Sequence, residues 1–189
     1  MDGIVIRALP CIASQSMDRE RMHESYRCQS RIEALLLASK GMEYNMLIGI
    51  IGENCCGKST LASAIKKEIG AEVITGKDYL RMAKSESEAV ALFKERLLKA
   101  VSGENIIYVI SESEHIKLLP DGAIRILVYA DIDTIKERFK ARMHGNLPVP
   151  VAQMLEKKHG IFDDGTYDYR LDGVNGDAAA LCAQLRDRG

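Results

Sequence analysis

The chain is predicted to fold as an α/β domain: a three-layer, doubly wound sheet of five parallel strands, with a short helical lid. Two observations make that prediction. From Met46 onward, short apolar runs rich in β-branched residues alternate with amphipathic segments, as strands buried on both faces and joined by crossover helices require. The first of these runs ends in Gly52-Glu-Asn-Cys-Cys-Gly57-Lys58-Ser59-Thr60, the spacing GxxxxGK[ST], and a helix-compatible stretch follows. Strand before and helix after is the setting in which that spacing cradles phosphate.

Residues 1–45 read differently. Met17 to Lys40 is charged, with Met22, Tyr26, Ile32, Leu35 and Leu36 at rough helical spacing, which suggests a leader or accessory helix. No continuous apolar core with a small-residue cleavage site marks a signal peptide. Asp18, Glu20 and Glu24 among the arginines argue against a transit segment. The domain proper is expected over 46–189.

The elements of that domain follow in order. Leu47–Ile51 is the first strand. Gly52 and Gly57 let the next loop curl tightly, so that its N–H groups face a polyphosphate. The helix beginning near Lys58 adds unpaired amides and the positive end of its dipole. Gly52, Glu53, Asn54, Cys55, Cys56, Gly57, Lys58, Ser59 and Thr60 are therefore the expected nucleotide-binding residues. Lys58 is expected at the β- and γ-phosphates of ATP, with the Ser59 hydroxyl on Mg²⁺.

Glu72–Thr75 is the second strand, and Thr75, Asp78 and Arg81 beyond its end are candidate acceptor-binding residues. Ser85-Glu-Ser-Glu88 reads as a capping box opening a helix with Val90, Phe93, Leu97 and Val101 on one face, ended by Gly103. Ile106–Ile110 is the third strand. It is followed by Glu112 and Glu114 in place of an aspartate, and Glu112 is the metal candidate. Ile124–Ala130 is the fourth strand, and Asp131 is positioned to cap a helix over Ile132–Met143. Tyr169–Leu171 is the fifth strand, and a last helix runs from about Asp177 to Arg186.

Arg138 and Arg142 are four apart and share a helical face. The proline-bearing stretch Gly145-Asn-Leu-Pro148-Val-Pro150 breaks the helix, and a second helical piece ends near Gly160. A flap over about 138–160 bearing guanidiniums suits phosphoryl transfer, which needs charge neutralised and water excluded.

The composition sets outer limits. The 26 basic and 27 acidic side chains nearly cancel, which asks for neither nucleic acid nor an anionic membrane. No apolar run approaches the ~20 residues of a spanning helix. The odd set Cys11, Cys28, Cys55, Cys56 and Cys182 lacks metal-ligand spacing, which fits reduced thiols and a cytoplasmic setting.

The segment Thr75-Gly76-Lys77-Asp78-Tyr79-Leu80-Arg81 resembles the Thr-Gly-Asp-x-Leu-Arg segment of adenylate kinases, with Lys77 inserted. The resemblance implies that Thr75 and Arg81 contact an acceptor nucleotide. The stretch from Ile116 through Arg138 and Arg142 to Tyr167-Asp-Tyr169 is similar in layout to guanylate kinases, whose GMP-binding domain has no counterpart here. Both point to a nucleoside-monophosphate-kinase-like phosphotransferase. Three functions stay open. One is γ-phosphate transfer from ATP to a nucleotide-like acceptor, with Lys58, Arg138 and Arg142 on the transition state. The second is transfer to a hydroxyl acceptor (nucleoside, sugar or cofactor precursor), with Asp78 as base. The third is a nucleotide-binding switch or ATPase without an acceptor.

Overall fold

The computed structural model describes residues 45–188. The leader reading for 1–45 thus lies, all but its last residue, outside the described residues. The five strands β1 (Leu47–Ile51), β2 (Glu72–Thr75), β3 (Ile106–Ile110), β4 (Ile124–Tyr129) and β5 (Tyr169–Asp172) form one sheet in the order β2-β3-β1-β4-β5. Every neighbouring pair is parallel. The helices are α1 (Lys58–Ile69), α2 (Glu86–Gly103), α3 (Ile132–Arg142), α4 (Val149–Lys158) and α5 (Ala178–Arg188). The expected fold class is the observed one.

The sheet holds together because its central strand is apolar on both faces. All five β1 residues are buried, and the alternation of a strand sends Ile48 and Ile50 to one core, Leu47 and Ile51 to the other. The first core is closed by Leu61 and Ile65 of α1 and by Leu181 and Leu185 of α5. The second is closed by Ala89, Phe93, Leu97 and Ala100 of α2. Val90 and Val101, expected on that face, lie at its edge and are only partly buried, because the 3.6-residue period centres the stripe one position aside.

Caps set the helix boundaries. The Ser85 hydroxyl accepts from the Glu88 amide at 3.3 Å, and the Asp131 carboxylate accepts from the Thr134 amide at 2.8 Å. Asp177 accepts from the amides of Ala179 and Ala180, both at 2.9 Å, so it caps α5 from outside, and the helix begins at Ala178, one position later than expected. Two short 3₁₀ turns, Asp78–Met82 and Ser113–Leu118, extend β2 and β3 past the sheet. The strands' carboxyl ends, the 52–57 loop and these turns therefore share one edge, where an open α/β sheet places ligands.

Candidate functional site

The phosphate loop runs from Gly52 to the start of α1. Cys55 has φ 64° and Gly57 φ 117°, two left-handed residues that fold the backbone back on itself. Gly57 also serves as the N-cap of α1 and gives no side-chain cap, and no acid lies in the first turn. Intrahelical bonding begins with the Thr60 and Leu61 amides, both donated to the Gly57 carbonyl. The amides of Lys58 and Ser59 have no side-chain acceptor among the described residues, an arrangement suited to an anion.

Lys58 is 6% exposed, and its ammonium donates to the carbonyls of Gly52, at 2.9 Å, and Glu53. Burial pulls it below the usual lysine value, against the opposing pull of Cys56, Cys55 and Glu53. Cys56 packs beneath the loop, fully buried, and burial raises its thiol. The two cysteines thus differ in kind: Cys56 is a core filler, whereas Cys55 lines the cavity above.

That cavity, of about 620 Å³, is lined by the loop and α1 start together with Thr75, Val109, Ser111, Arg138, Arg142 and Gly173. Arg138 and Arg142 therefore line the same cavity as the GxxxxGK[ST] loop. The Arg138 guanidinium donates to the Cys55 carbonyl at 3.2 Å and to the Gly173 carbonyl at 3.0 Å, which fixes it at the rim. Arg142 reaches the same cavity and disfavours the charged form of Lys58. No carboxylate among the described residues lines it.

Thr75 lines this cavity, but its hydroxyl is turned to Asp78, donating to Oδ2 at 2.5 Å, and its amide donates to the same oxygen at 3.2 Å. These two bonds hold the exposed Asp78 carboxyl below its usual range. Asp78 and Arg81 line neither this cavity nor its neighbour. Tyr79, buried and stacked on Phe93 at 4.8 Å, anchors the 3₁₀ turn that carries them.

The neighbouring cavity, of about 430 Å³, shares Asn54 and Ser111 with the first. Its walls are the β3 end, with Glu112 and Glu114, and α4 with the turn after it, with Met154, Leu155, Ile161 and Phe162. Glu112 therefore belongs to this cavity and stands 3.9 Å from the Lys77 ammonium. Ser59, by contrast, lines the phosphate cavity.

Two site contacts have no signature in the sequence. Glu53 reaches across to the lid: its carboxylate accepts from the Gly160 amide at 2.8 Å and pairs with the His159 ring at 3.1 Å. Gly173, beyond β5, packs so close to the loop that a Cβ there would stand 1.7 Å from the Cys56 carbonyl oxygen. The GxxxxGK[ST] spacing is local and could be read; these contacts span 107 and 117 residues.

No family model and no curated protein matches the chain. Solved structures do share its fold. Shikimate kinase from Acinetobacter baumannii aligns with a TM-score of 0.54 at 16% identity, over 79% of this chain and 96% of that one. A putative kinase from Chloroflexus aurantiacus aligns at 0.51 and 16%, over 75% and 98%. A gluconokinase from Sinorhizobium meliloti aligns at 0.50 and 16%, over 76% and 90%. The chain has the fold of the small P-loop kinases.

Proposed function

We propose that this protein transfers the γ-phosphoryl group of ATP to a small acceptor. One observation carries the reading: a cavity that joins a lysine-bearing phosphate loop, a helix N-terminus and two lid arginines, with no carboxylate among the described residues, adjoins a second cavity able to hold the acceptor. The solved neighbours named as shikimate kinase and gluconokinase support it at the level of fold.

Phosphoryl transfer asks mainly for positioning and charge neutralisation. The loop amides and Lys58 hold the β- and γ-phosphates. Arg138 and Arg142 neutralise charge on the transferring group, and α3 and α4 exclude water. The Ser59 hydroxyl, at the cavity wall, fits a Mg²⁺ ligand; when bound, the ion supplies further neutralisation on the phosphate oxygens. Among the described residues no cluster of three His, Cys, Asp or Glu could hold a metal, so the other ligands would come from nucleotide and water. Among the described residues no helix is long and apolar enough to cross a membrane.

ADP release from Mg²⁺-ATP, measured with and without candidate acceptors and with Lys58→Ala as the blank, tests the proposal. Lys58-dependent stimulation by an acceptor is the expected result. Tight ATP binding without stimulation by any acceptor would replace it with the nucleotide-switch reading.

A further inference from the structure

The two cavities that meet at Asn54 and Ser111 carry opposite charge. The phosphate cavity presents Lys58, Arg138 and Arg142. Its neighbour presents Glu53, Glu112 and Glu114 against Lys158, and completes its wall with apolar lid residues. Two of these, Met154 at 39% and Ile161 at 54% exposure, leave hydrocarbon uncovered on the cavity side of the lid, which a ligand's apolar body would shield.

The three acids differ in how far they are already engaged. Glu53 is bound to the lid through Gly160 and His159. Glu112 has the Lys77 ammonium at 3.9 Å and the His115 ring at 3.8 Å, both beyond hydrogen-bonding distance. Glu114 is exposed and lines the cavity. A phosphomonoester entering here would bring a second negative group among carboxylates. An ammonium would meet complementary charge.

Resting on the phosphotransfer reading, we infer that the acceptor is a hydroxyl-bearing amine with a hydrocarbon or aromatic body. Its body packs on Met154, Ile161 and Phe162, its ammonium is held by Glu114, and its hydroxyl faces Ser111, where the cavities meet. The hydroxyl oxygen forms a bond to the γ-phosphorus, the bond from that phosphorus to the β,γ-bridging oxygen breaks, and ADP leaves. The hydroxyl proton passes to the Glu112 carboxylate, one residue beyond Ser111. The phosphorylated product is then anionic in an acidic cavity, which favours its release.

The test is Lys58-dependent ADP production across amino alcohols with aliphatic and aromatic bodies, each paired with its uncharged N-acetyl form, alongside sugars, nucleosides and the nucleoside monophosphates. The expected result is turnover of an amino alcohol with kcat/KM about tenfold above its N-acetyl partner. Glu114→Gln should close that gap by raising KM for the amine alone. Glu112→Gln should lower kcat for both partners. Preferred turnover of a monophosphate, or of the N-acetyl form, would overturn the acceptor class while leaving phosphotransfer standing. Lys58-dependent turnover of sugars or nucleosides but of no amino alcohol would likewise overturn the acceptor class alone, and absence of turnover with every acceptor would sink both readings.

Discussion

Cys55 occupies a left-handed conformation with φ 64°, which costs a side-chain-bearing residue roughly 1–2 kcal/mol relative to the right-handed region. Cys55→Gly should remove that strain, offset by the greater freedom of glycine in the unfolded chain. A net gain of up to about 1 kcal/mol in urea unfolding is expected, with ATP affinity kept. Gly173 is the opposite case, because a methyl there meets the Cys56 carbonyl at 1.7 Å. Gly173→Ala should push the phosphate loop aside, costing about 1–3 kcal/mol and raising the KM for ATP. Calorimetry and ATP titration check both effects. Lys58 adds a pH signature. Its folded value is lowered by burial, so the ammonium is lost at a lower pH than in a free lysine. The alkaline fall in kcat/KM for ATP should therefore begin below the ordinary value of 10.5. The same shift means burial of this charge opposes folding at neutral pH, and the opposition fades as pH rises through the lowered value. The loop was readable because its chemistry lies in nine consecutive residues. Gly173 and the Glu53 contact to Gly160 were not, since a lone glycine and a lone glutamate carry no periodicity.

Elements built from short apolar runs were readable almost to the residue. β1, β2 and β3 match their expected bounds, and β4 and β5 differ by one position at the end, where fraying and turn geometry compete with the ladder. The 3₁₀ turns were not readable, for they span too few residues to show a period. One of them bears on the role of Asp78. Bound by the Thr75 hydroxyl and amide, this carboxylate holds the turn after β2. Asp78→Asn is accordingly expected to retain most of the turnover, whereas removal of a general base typically costs 10²–10⁴-fold; steady-state kinetics separates the two. The α2 cap is a purely structural element. Ser85→Ala should cost about 1 kcal/mol in thermal unfolding without altering KM for ATP.

Across the whole molecule the two cores are unequal in kind. The first is aliphatic and lies under α1 and α5; the second centres on Phe93, fully buried between Tyr79 and Tyr108. Phe93→Ala should cost about 3–5 kcal/mol, and the 3₁₀ turn bearing Asp78 should loosen with it. Thermal unfolding gives the first effect, and hydrogen exchange at Tyr79 and Leu80 the second. The three-layer architecture was legible because buried parallel strands leave a compositional trace. The strand order and the cavity beside the 52–57 loop were not. The cavity draws on the loop, the β3 end and the lid, from Glu53 to Phe162, and only the folded chain brings those together.

The close seat of Gly173 against the phosphate loop also has a temporal meaning. Arg138 is fastened between carbonyls contributed by Cys55 and Gly173, and β1 finds its partners in strands that begin at Ile106 and Ile124. The segment that signals nucleotide binding most clearly is thus translated early and completed late. While the chain is being made, the loop waits on more than a hundred further residues before its rim exists, so a nascent chain arrested short of β5 should emerge from the ribosome unable to capture ATP.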